Sequence, residues 1–371
     1  MRILFVNSIQ MWGGGEVWLM DMMRGLAARG HASEILCRRG TPLEARARAA
    51  GWTVHAIRFG GDLDPGPIAQ AAALMRRRRY DVVCTNTDKD LRVGGMAARL
   101  ASVRAIVPSR EVDYPLKDTW RYRFAYNRLA TGIAANSEAT KQTLLRSAPW
   151  LQAERVQVIY KGIDVAPFVE GGGPALRNEL GIPLDAPLVG FAGTIDDRKG
   201  VPTLLEAFAA VQAAIPGAHL VLAGEGRLRD WAESSARDRG LTVLFAGFRR
   251  DIPAFMDALD VFVLPSQWEG FGYVVVEAMA ARRAVVVSRA SSLPEIVVEG
   301  ETGLLAPVGD AAAFATAITS LLRDPGLRAR MGRAGRTRVE SHFTFDRMID
   351  GFESFFAAQA NTSTPRRGPT S

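Results

Sequence analysis

The sequence predicts an α/β protein built from two doubly wound parallel-sheet domains. Short apolar runs rich in β-branched residues alternate with longer stretches of helical spacing, which is the pattern of successive βαβ units. The alternation stops at residues 162–173, a stretch that contains Gly and Pro, and then starts again. With 371 residues, the chain is also longer than one hydrophobic core usually organises. We therefore expect a second parallel-sheet domain after a linker.

The first half contains a series of strand-like runs separated by helix-like stretches. The runs are RILFV, EILC, TVHAI, DVVCTN, RAIVPS, GIAANS and RVQVIY. The helices between them are predicted at residues 17–28, 43–50, 68–78, 93–100, 120–129 and 138–146. A helical crossover between successive strands is what parallel pairing requires. The first domain is expected to cover residues 1–165.

The second half repeats the pattern with the runs PLVGFAG, HLVLAGEG, TVLFAGF, VFVLPS and AVVVSRA. Helices are predicted at residues 201–214, 228–239, 252–259, 311–322, 327–340 and 345–358. This domain is expected to cover residues 166–345. The polar stretch 361–371 (NTSTPRRGPTS) lacks the apolar residues that form a core, so we expect a disordered tail there.

Targeting signals and cysteines narrow the class of protein. The first residues, MRILFVN, carry an apolar run too short for a secretion signal, and no later stretch reaches the roughly 20 apolar residues of a membrane span. Cys37 and Cys84 each lie in a strand-like run without a second thiol or a histidine at metal-ligand spacing. We therefore expect a cytoplasmic protein whose cysteines are small core residues.

Positive charge is concentrated in the first half. The chain has a net charge of +7, but residues 1–165 hold 25 Lys and Arg against 15 Asp and Glu, and the remainder is net acidic. The basic half indicates an anionic partner, such as a phosphorylated ligand, an acidic glycolipid or a membrane surface. Lys117, Arg121 and Arg123 are interleaved with Trp120, Tyr122 and Phe124. That segment suits an anionic lipid surface and equally suits an ordinary amphipathic helix.

Loops that follow strands are the candidate binding sites, because open parallel sheets bind ligands at the carboxyl ends of their strands. Gly13, Gly14 and Gly15 lie between the first strand and a helix, where their backbone N–H groups either approach a phosphate or form a tight turn. Their spacing matches neither the dinucleotide fingerprint nor the P-loop. Gly224 and Gly226 follow a later strand, and that loop is ambiguous by itself.

Two cations, Arg198 and Lys199, stand just before a predicted helix that starts near residue 201. Cations at this end of a helix oppose its macrodipole, which costs a few tenths of a kcal/mol or more. A bound anion would remove the conflict, so the pair predicts a phosphate site. The alternative is a solvated pair balanced by Asp196 and Asp197.

The stretch PSQWEGFGYVVVEAMA holds two glutamates, Glu269 and Glu277, in an otherwise apolar segment. The run YVVVEAM has the β-branched residues of a buried strand. A helix is favoured because the next strand, AVVVSRA, needs a crossover before it in a parallel sheet. On that interpretation both glutamates lie near the carboxyl end of the preceding strand, although two ordinary surface carboxylates remain an alternative.

Together these loops resemble the retaining nucleotide-sugar glycosyltransferases of family 4. The matching motifs are GGGE at 13–16, NSEATKQTL at 136–144, VIYKGID at 158–164, AGTIDDRKGV at 192–201, LAGEG at 222–226, FAGF at 245–248 and LPSQWEGFGYVVVEAMA at 264–280. Two glutamates separated by seven residues are the most specific mark of the family, and Glu269 and Glu277 match it. The family implies the GT-B fold, in which two Rossmann-like domains face each other across a cleft. A C-terminal helix, here 346–360, is expected to return to the N-terminal domain.

Residue roles follow from the resemblance where the motifs match. Glu269 is expected to accept hydrogen bonds from donor-sugar hydroxyls, and Glu277 from those of the ribose. Arg198 and Lys199 are expected to neutralise the diphosphate in place of a metal ion, so these two and Glu269 are the catalytic candidates. The other donor-binding candidates are Gly14, Gly15, Thr194, Gly224, Glu225, Gly226, Phe248, Arg249, Gly270, Phe271 and Gly272.

Two positions depart from the family pattern. Many members have an arginine directly after the glycine of the phosphate loop, and this chain has Thr194 there. Many also have a histidine near the reacting carbon in an N-terminal-domain loop, whereas this chain has none between His55 and His219. The acceptor-side candidates in that region are Arg110, Glu111 and Asp113.

The resemblance implies a metal-independent enzyme, without a cofactor, that transfers a sugar from a nucleotide diphosphate sugar to a hydroxyl acceptor with retention. Glycan, lipopolysaccharide or glycolipid biosynthesis is the expected setting, with peripheral contact to the inner face of the cytoplasmic membrane and no nucleic-acid partner. Two alternatives stay open: a nucleotide-sugar epimerase on the same architecture, and a non-catalytic protein that binds anionic lipid or nucleic acid. The paired glutamates disfavour the second, because carboxylates repel phosphate backbones.

Overall fold

The computed structural model describes residues 1–61, 64–168 and 172–362, and it divides into two compact units. Unit 1 contains Met1–Tyr160 together with the residues from Phe345 onward, and unit 2 contains Lys161–Thr344. The predicted tail, 361–371, lies outside the described residues except for its first two, which are helical.

Unit 1 contains a seven-stranded parallel sheet with the order β3-β2-β1-β4-β5-β6-β7. Its strands are β1 (Arg2–Asn7), β2 (Ala32–Arg38), β3 (Val54–Ile57), β4 (Val82–Thr85), β5 (Ala105–Arg110), β6 (Ile133–Ala135) and β7 (Val156–Val158). Its helices before the C-terminal one are α1 (Gly14–Ala28), α2 (Pro42–Ala49), α3 (Pro65–Arg78), α4 (Asp88–Leu100), α5 (Trp120–Phe124) and α6 (Glu138–Ser147). The strand order reverses between β1 and β4, as in Rossmann-like doubly wound sheets.

The central strand β1 is buried on both faces of its sheet. Leu4 and Val6 belong to one apolar cluster, and Ile3 and Phe5 belong to the other. A parallel strand covered by helices on both sides needs a continuous apolar run rather than an alternating one, and RILFV supplies it.

The C-terminal helix α15 (Phe345–Thr362) packs on unit 1, against α1 and β5. The rings of Phe352 and Trp18 lie 5.5 Å apart between centroids, and Phe356 is fully buried. A Cβ at Gly25 of α1 would lie 2.6 Å from the Cδ1 atom of Ile349, so the two helices meet where α1 has no side chain. The helix therefore returns to the N-terminal unit, as the family resemblance implies.

Unit 2 contains a six-stranded sheet with the equivalent order β10-β9-β8-β11-β12-β13, again parallel. Its strands are β8 (Leu188–Ala192), β9 (His219–Ala223), β10 (Val243–Gly247), β11 (Val261–Leu264), β12 (Ala284–Ser288) and β13 (Gly303–Ala306). Its helices are α7 (Gly173–Glu179), α8 (Val201–Ala214), α9 (Arg229–Asp238), α10 (Ile252–Ala258), α11 (Tyr273–Ala280), α12 (Leu293–Ile296), α13 (Ala311–Arg323) and α14 (Pro325–His342). The α/β class and the doubly wound sheets predicted from the sequence are confirmed.

The structure differs from the predicted elements in a few places. The segment YVVVEAM is helical, as the crossover argument requires, so its strand alternative is wrong. A single helix is predicted over 120–129. In the structure the α-helix ends at Phe124, and a π-helical segment, Ala125–Leu129, follows it directly. Helices α7 and α12 have no predicted counterpart, because segments of 7 and 4 residues are too short to show a helical period. Strand β13 (GLLA) was also not predicted, because it contains no β-branched residue.

Within the described residues, no helix combines the length and apolar character needed to cross a membrane. Cys37 and Cys84 are both buried, and burial raises the pKa of the Cys37 thiol to about 12. A thiol with a raised pKa is a poor nucleophile, which fits a core residue.

Candidate active site

The strand order of unit 2 reverses between β8 and β11, which are hydrogen-bonded neighbours. In doubly wound sheets, ligands bind in the crevice outside the carboxyl ends of the strands at such a reversal. The loop after β8 holds residues 193–200, and the loop after β11 holds residues 265–272. The three predicted catalytic residues, Glu269, Arg198 and Lys199, all belong to these two loops.

Glu269 and Lys199 form a buried ion pair between the two loops. The Nζ atom of Lys199 lies 2.5 Å from Oε1 of Glu269, and the same oxygen accepts a 2.6 Å hydrogen bond from the Ser266 hydroxyl. Arg198 is farther away, with Nη1 3.8 Å from Oε2 of Glu269. Only 5% of Glu269 is exposed. A carboxylate this buried requires a cation and hydrogen bonds, and these three side chains supply them.

Backbone contacts fix the two loops against each other. The Gln267 N–H donates to the carbonyl of Arg198 at 2.8 Å. Gly200 has a φ of +71°, and a Cβ there would lie 2.0 Å from the carbonyl oxygen of Pro265. Only glycine tolerates both conditions. The position of Lys199 is therefore set by the packing of one loop backbone on the other.

The two cations stand immediately before α8, where the helix dipole disfavours positive charge. Glu269 compensates Lys199, and the guanidinium of Arg198 lies over the ring of Trp268, 4.9 Å from its centroid. Two cations, one carboxylate and a helix N-terminus make a site that favours a further anion. Among the residues that the structure describes, no group of three or more His, Cys, Asp and Glu is arranged to hold a metal ion.

A cavity of about 480 Å³ shares the loop after β8 with this cluster. Six predicted donor-binding residues line it: Thr194, Gly224, Glu225, Phe248, Arg249 and Glu277. The rest of the wall is formed by Ala192, Gly193, Ala223, Ile252 and Val274. The wall is largely apolar with a few polar groups, which is the usual character of small-molecule sites.

Glu277 presents a desolvated carboxyl group to this cavity. It lies on α11, and its carboxyl has no hydrogen bond or ion pair with the described part of the chain. Burial raises the pKa of the Glu277 carboxyl from 4.5 to about 7. A half-buried carboxyl in a cavity wall, without a cation beside it, is suited to accept hydrogen bonds from the hydroxyls of a ligand.

Arg249 and Phe248 border the cavity in different ways. Two carboxylates fix the guanidinium of Arg249. Its Nη2 atom lies 2.5 Å from Oδ2 of Asp251, and its Nη1 atom lies 2.6 Å from Oε1 of Glu179. Hydrogen bonds with these groups hold the pKa of its guanidinium above the ordinary value. Phe248 is 73% exposed. An exposed ring in the wall of a cavity provides a flat surface on which another ring can stack.

The glycines after β9 allow two loops to touch. Gly224 has a φ of +141°, and a Cβ there would lie 1.9 Å from the carbonyl oxygen of Gly193. Gly226 does not line the cavity, and a Cβ there would lie 2.3 Å from the carbonyl oxygen of Ile195. Both glycines therefore shape the cavity by bringing the loop after β9 onto the loop after β8.

The predicted donor-binding residues Gly270, Phe271 and Gly272 do not line this cavity. Phe271 is buried and makes edge contacts with the rings of Tyr273 and Phe343, at 5.6 and 5.8 Å between centroids. Gly272 precedes α11 with a φ of +95°. The segment turns the chain so that a single loop and helix carry both Glu269 and Glu277.

In unit 1, the predicted residues Gly14 and Gly15 open helix α1. The buried side chain of Glu16 accepts hydrogen bonds from Nδ2 of Asn7 at 3.0 Å and from the Gly13 N–H at 2.9 Å. A Cβ at Gly14 or Gly15 would meet no described atom within 4 Å, and neither residue has a positive φ. Packing within the chain does not require these glycines, so they leave the helix N-terminus open to approach.

Arg110, the last residue of β5, is held in a network of hydrogen bonds. Its Nη1 atom donates to Oδ1 of Asp88 at 3.0 Å, and its Nη2 atom donates to the carbonyl of Tyr114 at 2.9 Å. The hydroxyl of Tyr126 donates to the same Asp88 oxygen at 2.6 Å. These contacts make Arg110 an anchor for the loop that follows it.

Glu111 and Asp113 extend from that loop. Glu111 accepts a short hydrogen bond from the hydroxyl of Ser109. The Oδ1 atom of Asp113 is buried, and no hydrogen-bond partner for it is found among the described residues. Of the three acceptor-side candidates, Asp113 therefore has the most capacity to accept a hydrogen bond from a ligand.

Several contributing residues were not singled out in the sequence. Ser266 and Trp268 support Glu269 and Arg198, and both lie in the quoted motif, so their place after a buried strand was the available signal. Asp88 and Tyr126, which hold Arg110, gave no signal because 38 residues separate them along the chain.

Two family models match the chain. The model described as Glycosyltransferase Family 4 matches residues 12–167, and the model described as Glycosyl transferases group 1 matches residues 174–338. The first match falls mainly in unit 1, and the second falls within unit 2. Each unit is thus matched by a different model.

Individual relatives agree with these matches. The lipopolysaccharide core biosynthesis glycosyltransferase LpsE of Rhizobium meliloti is 32% identical over 253 residues, which is 68% of this chain and 69% of LpsE. The glycogen synthase of Mycobacterium tuberculosis is 30% identical over 329 residues, 87% of this chain and 72% of the relative. Crystal structures of Anabaena HepE in complex with UDP, and with UDP and glucose, match with TM-scores of 0.86 and 0.82. Both are 25% identical and cover 96% of this chain and 100% of HepE.

The raised pKa of Glu277 predicts a pH-dependent stability difference. Between pH 4.5 and about 7 the unfolded chain releases this proton while the folded chain keeps it, so the free energy of unfolding falls as pH rises. Glu277→Gln removes the ionisable group. We expect the free energy of unfolding of this variant to be higher than that of the original protein by up to about 3 kcal/mol at pH 8, and to differ little from it at pH 4.5. Urea unfolding at the two pH values measures the difference.

The control for this experiment is Glu206→Gln, which neutralises an exposed carboxylate on α8. Its stability relative to the original protein should stay within about 0.5 kcal/mol at both pH values. An equal effect of Glu277→Gln at pH 4.5 and pH 8 would show that the carboxyl is not held protonated by burial.

Proposed function

The chain belongs to the glycosyltransferases of family 4 and group 1, whose GT-B fold it has, and from this premise we propose that it transfers a sugar from a nucleotide diphosphate sugar to a hydroxyl acceptor. The observation that carries the proposal is the cluster of Lys199, Arg198 and Glu269 beside a largely apolar cavity. The cluster suits a diphosphate and a sugar, and the cavity suits a nucleoside.

The two cations are assigned to the leaving group. When the bond between the anomeric carbon and the diphosphate breaks, negative charge develops on the phosphate oxygen. Lys199 and Arg198 stand at a helix N-terminus, where fixed positive charge stabilises that oxygen in place of a metal ion. Glu269 accepts hydrogen bonds from sugar hydroxyls and orients the donor.

The cavity is assigned to the nucleoside. The exposed ring of Phe248 offers a stacking surface for the base, and the carboxyl of Glu277 accepts from the ribose hydroxyls. Gly224 and Glu225 line the same wall. HepE, a relative of known structure, is described in complexes with UDP and glucose, so UDP-glucose is the first donor to test.

Retention at the anomeric carbon is proposed to follow from attack on the face that the diphosphate leaves. The acceptor oxygen forms the new bond to the anomeric carbon, and its proton passes to the departing phosphate oxygen. Glu269, the carboxylate nearest the cations, is already engaged by Lys199 and Ser266, so it is assigned to orientation rather than to covalent attack. The reaction then needs no covalent sugar–enzyme intermediate.

The acceptor is assigned to the loop after β5 in unit 1. Asp113 has a buried oxygen without a described partner, while Glu111 lies beside it and Arg110 anchors the loop. These groups suit a polyhydroxylated acceptor, because carboxylates accept hydrogen bonds from hydroxyls. Glycan, lipopolysaccharide or glycolipid biosynthesis fits this acceptor chemistry, and the similarity to LpsE points the same way.

Substitution at the cluster tests the proposal. Lys199→Ala and Glu269→Ala should each reduce turnover of UDP-glucose by about 10²- to 10³-fold or more, because each removes a group that stabilises or orients the reacting centre. Turnover is measured as UDP released in the presence of a panel of glycan and glycolipid acceptors. Glu269→Gln keeps the size of the side chain and removes only its negative charge, so comparison with Glu269→Ala shows which of the two losses reduces turnover.

Glu206→Ala, an exposed substitution on α8, is the control and should keep full turnover. Circular dichroism must show that each variant is folded, because removing one member of a buried pair costs about 3–5 kcal/mol. Near-normal turnover in a folded Lys199→Ala protein contradicts the site assignment. Conversion of the nucleotide sugar to an isomer without acceptor would instead identify an epimerase.

Peripheral membrane association is proposed for the segment around α5. Trp120 is 65% exposed and Phe124 is 44% exposed, with the basic residues Arg121 and Arg123 between them. Exposed aromatic rings beside cations are typical of segments that bind an anionic lipid surface. A lipid-linked acceptor at the inner face of the cytoplasmic membrane would then be brought to unit 1.

Co-sedimentation with liposomes tests this association. The protein should pellet with vesicles that contain anionic lipid, less at high salt, and Trp120→Ala with Phe124→Ala should reduce the bound fraction several-fold. Trp231→Ala, which removes a tryptophan that is 42% exposed in unit 2, is the matched control. Equal pelleting of all variants, or pelleting independent of anionic lipid, removes the membrane proposal.

A further inference from the structure

Unit 2 has a second cavity, at the amino ends of β11 and β12, which is the edge of the sheet opposite to the loops described above. Its volume is about 310 Å³. It is lined by Asp260, Arg282, Arg283, Ala284, Pro325, Arg328, Ala329 and Arg333. Four of these eight side chains are arginines and one is an aspartate, so the lining carries a net charge of +3.

The single carboxylate of this cavity is already engaged. Oδ2 of Asp260 accepts from Nη2 of Arg177 at 3.0 Å and from the Leu188 N–H at 2.9 Å. Oδ1 of Asp260 lies 3.1 Å from Nη2 of Arg328. Arg177 adds one more positive charge directly behind Asp260, and Asp257, whose Oδ1 lies 3.5 Å from Nη2 of Arg283, adds one negative charge. The two aspartates therefore leave the arginine cluster with a net positive charge.

Two of the lining arginines are tied to the backbone. Arg283 donates from Nη1 to the carbonyl of Leu259 at 2.9 Å and from Nε to the carbonyl of Ala281 at 2.8 Å. Arg328 donates from Nη1 to the carbonyl of Leu322 at 3.1 Å. These contacts hold the guanidinium groups in place, so a ligand would meet pre-oriented donors.

The other two, Arg282 and Arg333, are exposed, and their side chains have no hydrogen bond or ion pair within the described residues. Arg282 follows the end of α11 with a φ of +59°, and the N–H groups of Arg282 and Arg283 bond back to Met279 and Ala278. Glycine is the residue usually found in this left-handed position after a helix. Arginine is strained there, and the fold gains nothing visible from its side chain.

We propose that this cavity binds a small phosphorylated anion, such as a diphosphate or a sugar phosphate. Guanidinium groups form paired hydrogen bonds with phosphate oxygens, and four of them converge here beside the first turn of α14. The volume exceeds that of a bare phosphate and accommodates an attached group. The site lies at the other end of the strands from the donor cavity and is independent of the proposed transferase reaction.

Arg282→Gly gives a variant in which folding and ligand binding are separable. Glycine is favoured at a φ of +59°, so this variant should melt at or above the temperature of the original protein. It nevertheless loses one guanidinium from the cavity. Arg333→Gln removes a second one from an exposed position of α14 and keeps a residue of good helix propensity.

Calorimetric titration with inorganic pyrophosphate tests the proposal, with glucose 1-phosphate and inorganic phosphate titrated in parallel. Arg282→Gly and Arg333→Gln should each weaken binding of the preferred anion by about tenfold, and the double variant should weaken it further. Arg239→Ala, which removes an exposed arginine just beyond the end of α9, is the control and should bind as the original protein does. The order of affinities among the three anions shows whether the group attached to phosphate contributes.

Lys199→Ala distinguishes anion binding in this cavity from anion binding at the candidate active site, because it removes a cation from the active site only. Weaker anion binding in Arg282→Gly and Arg333→Gln, with a remaining site in Lys199→Ala, supports the second cavity whether or not the transferase proposal holds. Undiminished binding in the Arg282 and Arg333 variants, or loss of all binding in Lys199→Ala alone, overturns it. Turnover of UDP-glucose without added anion should be unchanged in Arg282→Gly, because Arg282 is outside the candidate active site.

Discussion

At the carboxyl ends of β8 and β11, the ammonium group of Lys199 and the carboxylate of Glu269 are held 2.5 Å apart with little access to water. Two buried charges in such a place are stable only together, because either alone would remain uncompensated. The pairing requires the two loops to touch, and Gly200 makes that contact possible against Pro265. The strand order of the sheet brings these loops side by side, so the topology of unit 2 sets the chemistry of the site.

The parts of this arrangement that depend on local pattern could be predicted from the sequence. The alternation of apolar runs and helical stretches predicted both parallel sheets, and the need for a crossover predicted helix α11 despite its three consecutive valines. The conflict between Arg198, Lys199 and the α8 dipole predicted an anion site there, which the proposed function assigns to the diphosphate. Residue order alone was enough because parallel strands with crossover helices place all their following loops at one edge.

Features that depend on distant residues could not be predicted. The raised pKa of Glu277 arises from burial in a cavity wall that also holds Ala192 and Ile252, which the sequence does not show to be neighbours of Glu277. The sequence also did not distinguish Gly224 from Gly14. Packing leaves no room for a side chain at Gly224, whereas a side chain would fit at Gly14. The second cavity, at the amino ends of β11 and β12, is lined by residues between Asp260 and Arg333, and no sequence motif predicts that they lie together.

A crystal structure with bound UDP-glucose tests the central claim most directly. We expect the diphosphate within about 3 Å of Nζ of Lys199 or of the guanidinium of Arg198. We also expect the ribose hydroxyls to donate to Glu277 and the uracil to lie on the ring of Phe248. A nucleotide whose diphosphate binds away from both cations, with the Lys199–Glu269 pair undisturbed, would contradict the account.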